Sequence, residues 1–167
     1  LGEAVARLYE HYAELLPDGP ARARAAATAR SVAAMVARPD LERYASALAP
    51  DVAFIDHRTV GFASGRGADQ LLRGFRSLFE LADDLITRVD EVLRLEFDAV
   101  LLRWTITGTD RATGGAFESE FLLLWLFGPD GRVVCDETFD AHRATEAVTR
   151  FDGLAGSKYA EPTTRAP

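Results

Sequence analysis

Apolar side chains recur at helical spacing in the first part of the chain and switch to strand-like alternation from Val52 onward. Val5, Leu8, Tyr9, Tyr12, Leu15 and Leu16 share one side of a helix predicted over residues 3–16, which the breaker Pro-Asp-Gly-Pro at 17–20 stops. An Ala-rich stretch at 21–37 carries Val32, Met35 and Val36 on one side. A shorter helix follows at 40–48, opened by Asp40 after Pro39. From Val52 the run Val-Ala-Phe-Ile-Asp-His-Arg is strand-like, and Thr-Val-Gly-Phe-Ala-Ser-Gly-Arg-Gly supplies a turn or loop. Leu71, Leu72, Phe75, Leu78 and Phe79 predict a helix over 68–81 whose apolar face lies across a sheet.

Three long strands are expected near 85–96, 99–108 and 116–127, joined by Phe-Asp-Ala and by the glycine turn Thr-Asp-Arg-Ala-Thr-Gly-Gly. A last strand at 132–140 follows Gly-Pro-Asp-Gly. Ala144, Val148 and Phe151 mark a terminal helix at 141–152. Helices, one strand, a helix, four strands and a helix make an α+β fold, with a strongly curved sheet wrapped around the N-terminal helices. Phe-Leu-Leu-Leu-Trp-Leu-Phe (121–127) is apolar on both faces, which a strand solvated on one side would not be. A second subunit packed sheet against sheet is the expected cover, so a homodimer is expected; the alternative cover is the N-terminal helix.

Size and charge narrow the function. A chain of 167 residues with 48% hydrophobic content fills one domain. Residues 1–26 are assigned to a helical extension, 27–152 to the domain and 153–167 to a flexible tail, small, polar and Pro-containing. Leu1 in place of Met suggests a piece of a longer protein. A net charge of −7 disfavours nucleic acid and anionic membrane surfaces as partners. The single cysteine, Cys135, rules out an internal disulfide and suits a reducing, cytoplasmic setting. No run approaches the roughly 20 apolar residues of a membrane span.

The candidate chemistry lies on two strands. Alternation puts Phe54, Asp56 and Arg58 on one face and Ile55 and His57 on the other. Asp56 on the helix-covered face would be partly desolvated and suited to proton abstraction; alternatively it pairs with Arg58 or caps the next loop. In Val-Cys-Asp-Glu-Thr-Phe-Asp-Ala-His (134–142), Val134, Asp136, Thr138 and Asp140 share a face, opposite Cys135, Glu137 and Phe139. Asp136 and Asp140 are further candidates, with His142 just beyond the strand; a helix cap is the favoured explanation of Asp140 and solvent exposure that of His142. Leu102, Trp104 and Ile106 form the expected pocket wall, opposite the face of Arg103. His11 lacks a partner at useful spacing. Gly-Arg-Gly at 65–67 reads as a turn and helix cap. No nucleophile elbow, zinc-protease motif or dinucleotide fingerprint is present, and no cofactor or metal is expected. A metal held by Asp136, Asp140 and His142 is the least favoured reading.

The element order, together with "LERYASALAPDVAFIDHR", "GRGADQLLRGFRSLFE", "VDEVLRLEFDAVLLRWTITGT" and "FLLLWLFGPDGRVVCDETFDAHR", resembles the SnoaL-like branch of the nuclear transport factor 2-like superfamily. The resemblance implies a cone-shaped sheet around helices, an internal small-molecule pocket and frequent dimers. It implies acid/base chemistry without a cofactor, of isomerase, cyclase or dehydratase type, on an apolar carbonyl-bearing ligand. The general base of the related isomerases is similar in position to Asp56, with His142, Asp136 and Asp140 as further catalytic candidates. Their oxyanion donors fall at Ser31 and Leu123, which are poor replacements. Phe54, Arg58, Trp104, Leu123 and Trp125 are the implied substrate contacts. The N-terminal stretch also resembles the run-in to such domains in bacterial regulatory proteins, which implies, alternatively, a non-catalytic sensing or dimerisation domain.

Overall fold

The computed structural model describes residues 1–61 and 63–159. Three helices, α1 (Gly2–Leu15), α2 (Pro20–Val36) and α3 (Leu41–Ala47), lead into β1 (Leu48–Asp56) and the short β2 (Gly65–Arg66). Then come α4 (Ala68–Leu81), β3 (Ala82–Glu96), β4 (Ala99–Asp110), β5 (Ala116–Phe127), β6 (Val133–Asp140) and α5 (Ala144–Tyr159). The architecture is α+β, as expected, with one six-stranded mixed sheet in the order β2-β1-β6-β5-β4-β3. β3 to β6 form the antiparallel meander, and β1 joins its end parallel to β6.

Where boundaries differ from expectation, backbone chemistry explains it. β1 begins at Leu48, before Val52, and its register with β6 shifts between Leu48 and Ala53, around Pro50, which has no N–H for a ladder. β3 follows α4 directly, pairs Ala82 and Asp83 with β4, then bulges before Ile86. Asp84 sits in that bulge at φ 52, a conformation Asp tolerates. Two further register shifts, between Val89 and Glu91 and between Val92 and Arg94, bend the strand and curl the sheet. α5 runs through Tyr159, beyond the expected end at 152; residues 160–167 of the expected tail lie outside the described residues. The expected boundary at residue 26 falls inside α2.

Strand alternation divides the core in two. On the concave face, Val52, Val100, Leu102, Trp104, Trp125 and Phe127 pack against α1, α2 and α3. α1 belongs to this core: Val5, Ala6 and Tyr9 are buried, and the Tyr9 hydroxyl donates to the carbonyls of Glu96 (2.7 Å) and Ala99 (3.0 Å). The turn before β6 presses on α2; Gly131 has φ 76, and a Cβ there would lie 2.4 Å from the Thr28 nitrogen. On the convex face Leu101, Leu122, Leu124 and Phe139 are buried under Ala147 and Phe151 of α5. The second apolar face of β5 is thus covered by the C-terminal helix. Of the chain's own helices it is α5, not the N-terminal helix, that packs there.

α5 is also held by charge. Glu137 is fully buried on the convex face and accepts from Arg150 Nε (3.1 and 3.0 Å) and Nη2 (2.8 Å) of α5. His57 Nε2 lies 2.9 Å from the other side of the same carboxylate, with its ring stacked on Phe139 at 4.3 Å. Burial pushes the Glu137 pKa up, but the hydrogen bonds from Arg150 and His57 outweigh this and hold it below the usual range.

Candidate functional site

α4 is strongly amphipathic, yet none of its residues is fully buried. Leu71, Phe75 and Phe79 pack only in part against the core, because they face an internal cavity of about 470 Å³ between α4 and the concave sheet. Tyr44 of α3 stands edge-on to Phe75 at 5.2 Å and closes one side. Trp104 and Trp125, on neighbouring strands, meet edge to face at 5.7 Å and form the floor. The lining is mostly apolar, and β1, the loop that follows it and β6 bring Asp56, Arg58, Asp136 and Thr138 to the wall.

The side-chain parity expected for both strands is observed. In the parallel pairing Phe54 lies beside Asp136 and Asp56 beside Thr138, all facing the cavity. His57 and Glu137, one residue along each strand, face the opposite side. Asp56 is held by Arg58: Nε donates to Oδ1 at 2.9 Å, Nη2 to Oδ2 at 2.6 Å, and the Arg58 backbone N–H to Oδ1 at 3.0 Å. The pair is sheltered, with side chains 9% and 16% exposed, and the Arg58 guanidinium lies over the Phe121 ring at 5.3 Å. The loop after β1 closes on it at Gly61, where a Cβ would sit 2.3 Å from Asp56 Oδ2. Of the three expected readings of Asp56, the geometry is that of the ion pair with Arg58.

Asp136 has the contrasting environment. It is buried, at 6% exposure, and lines the cavity. Burial first, then the negative charges of Asp56 and Glu137, push its pKa up to about 7, against the weaker pull of the Trp125 N–H and Arg58. The Trp125 indole nitrogen is close enough to favour the charged carboxylate, yet no partner meets it at hydrogen-bond distance and angle.

The other expected catalytic residues lie elsewhere. Asp140 is on the same strand face but beyond the cavity, where its Oδ2 accepts from the backbone N–H and hydroxyl of Thr59, both at 3.0 Å. His142 is exposed in the turn before α5 and does not line the cavity. The strand has run out of the pocket by that point, so sharing parity with Asp136 is not enough. All five expected substrate contacts, Phe54, Arg58, Trp104, Leu123 and Trp125, line the cavity. Ser31 is buried in α2, away from it. Gln70 and Ser119 also reach the wall. Ser119 was signalled by its parity with Leu123 and Trp125, and Gln70 by its place one turn before Gly74 on the face of α4 that carries Leu78.

No curated protein matches the sequence. Among solved structures, an NTF2-like protein from Burkholderia thailandensis is 25% identical, with a TM-score of 0.51, over 77% of this chain and 94% of its own. An LEH-like epoxide hydrolase from M. tuberculosis superposes with a TM-score of 0.54 at 18% identity, covering 81% of this chain and 97% of its own. A putative SnoaL-like polyketide cyclase from Jannaschia sp. CCS1 gives 0.51 at 19% identity, over 73% and 80%. These neighbours share the fold. The family model for the SnoaL-like domain matches residues 28–135, from the middle of α2 to the residue before Asp136. With most of its length inside that match, the chain belongs to the SnoaL-like domain family.

Proposed function

We propose that the cavity is the active site of a cofactor-independent enzyme that moves a proton on an apolar, carbonyl-bearing small molecule, with Asp136 as the base. The observation that carries this is Asp136 itself, a buried carboxyl on the wall of an apolar cavity with a pKa near 7, beside a second carboxylate neutralised by Arg58. Two carboxyls with such different environments divide the work. Asp136 ionises near neutrality and accepts a proton strongly, which suits general-base chemistry. Its carboxylate takes a proton from the carbon next to the carbonyl; the C–H electron pair forms the new C=C bond, and the carbonyl oxygen takes up negative charge. Return of the proton to the same carbon gives exchange, and to another carbon gives isomerisation. Asp56 and Arg58 stay paired and fix the cavity end. Solved neighbours named as a cyclase and an epoxide hydrolase support the small-molecule class.

2-Tetralone, an apolar bicyclic ketone, tests the step in D2O, with exchange at the carbon next to the carbonyl followed by NMR. The protein is expected to accelerate exchange, with a rate that rises with pH through about 7. Asp136→Asn is expected to lower it by about 10²- to 10⁴-fold. Equal rates with and without protein, or in the Asp136→Asn variant, would sink the proposal.

The Asp56–Arg58 pairing favours a second reading, a non-catalytic ligand-sensing or dimerisation domain of a larger regulatory protein. Tight binding of 2-tetralone with no exchange would select it. A homodimer, implied by the family resemblance, and a cytoplasmic setting, for which the lone Cys135 is the support, belong to both readings as proposals.

A further inference from the structure

Among the described residues, one buried side-chain nitrogen or oxygen has no hydrogen-bond partner: Nε1 of Trp125. Native interiors leave few such groups, because a buried donor without a partner bears the whole cost of losing water. The orphan is in the cavity wall, on a residue 1% exposed. Its ring packs edge to face against Trp104 at an interplanar angle of 70°. Directly across the β5–β6 ladder from Trp125 is Asp136. The Asp136 carboxyl is near enough for the indole to favour its charged form, but it does not meet Nε1 at hydrogen-bond geometry, so the donor is left for an oxygen that enters the cavity.

We propose that Trp125 Nε1 is the anchoring donor for a ligand oxygen, so that the pocket selects neutral, ring-sized apolar molecules with one acceptor oxygen, held at the Trp125–Asp136 end. This rests on the reading of the cavity as a ligand site and deepens it by naming the group that holds the oxygen. An oxygen about 2.9 Å from Nε1 puts the adjoining carbon next to the neighbouring side chain across the ladder, which is Asp136. The donor is fixed before the ligand arrives, so charge developing on the oxygen meets a dipole already in place. The rest of the ligand lies along Trp104 and the apolar face of α4.

The test compares 2-tetralone with tetralin, which has the same rings and no oxygen, for binding to the full chain. The protein is expected to prefer the ketone by about fivefold to tenfold, the worth of one buried hydrogen bond. Trp125→Phe should abolish that preference while still binding tetralin. Asp136→Asn should keep the preference even though it loses proton exchange, which separates failure of this assignment from failure of the catalytic one. In the unaltered protein, whose only indoles are Trp104 and Trp125, one indole N–H resonance should move downfield with 2-tetralone and stay with tetralin. Trp104→Phe should retain the moving signal. If Trp125→Phe does not fold, that resonance decides. An unchanged preference in a folded Trp125→Phe variant, a moving signal that belongs to Trp104, or no difference between the ligands overturns the assignment. Failure of both ligands to bind overturns it together with the active-site reading.

Discussion

At residue scale, the demands on Asp136 oppose stability. Its pKa near 7 in the folded chain lies well above its unfolded value, so the folded state holds the extra proton more tightly. Stability is therefore highest below the unfolded pKa of about 4 and falls as pH rises through the window up to about 7. The amount is about 4 kcal/mol by linkage for a group this buried. Asp136→Asn is expected to remove that slope and to be more stable than the unaltered protein at pH 8, in urea unfolding followed over pH. Equal slopes would show that the carboxyl ionises as freely folded as unfolded. Asp56, by contrast, is held in a sheltered ion pair with Arg58. Sequence parity was enough to separate Asp56 and Arg58 from His57, but not to choose between a free and a paired Asp56. That choice depended on the path of the loop after β1, which folds Arg58 back and brings Gly61 against the carboxylate.

At the scale of elements, α5 is the part least legible in advance. The stripe of Ala144, Val148 and Phe151 showed that a helix was there, but not which surface it covered. The apolar outer face of β5 was equally consistent with another chain. The deciding contact is Arg150 of α5 on Glu137 of β6, joined by His57 just after β1, three residues that share no local spacing. Glu137→Gln is expected to cost about 2–4 kcal/mol, since it leaves Arg150 and His57 without their shared carboxylate at a fully buried position. Amide exchange should speed up first in α5. With the Glu137 pKa depressed in the folded chain, its contribution is complete above the unfolded value of about 4.3 and is lost as pH falls below it, a window separate from that of Asp136. The strand meander and α4 were legible because their period was unbroken. β1 was seen short because Pro50 interrupts its ladder, and β3 because its first residues precede a bulge.

On the scale of the whole molecule, a single sheet separates two differently filled spaces: a dry convex core sealed by α5 and a concave side left open under α4. The fold class followed from element order, and the cavity wall from strand parity. Asp140 and His142 were misplaced because parity says which way a side chain points and not where the pocket ends. Light scattering tests the proposed assembly: a mass of twice 18.2 kDa supports a homodimer, and 18.2 kDa removes it. Among the described residues no helix is long and apolar enough to cross a membrane.

The open side also sets how the protein answers to heat. The apolar face of α4 is left half-covered when the cavity is empty, so a molecule that fills it adds its binding free energy to the folded state alone. At a hundredfold excess over Kd that is about 2.7 kcal/mol, which for a chain of this length raises Tm by about 5–10 °C. Melting temperature thereby becomes a readout of occupancy that needs no knowledge of the reaction, and a compound library can be ranked by it before any turnover is seen.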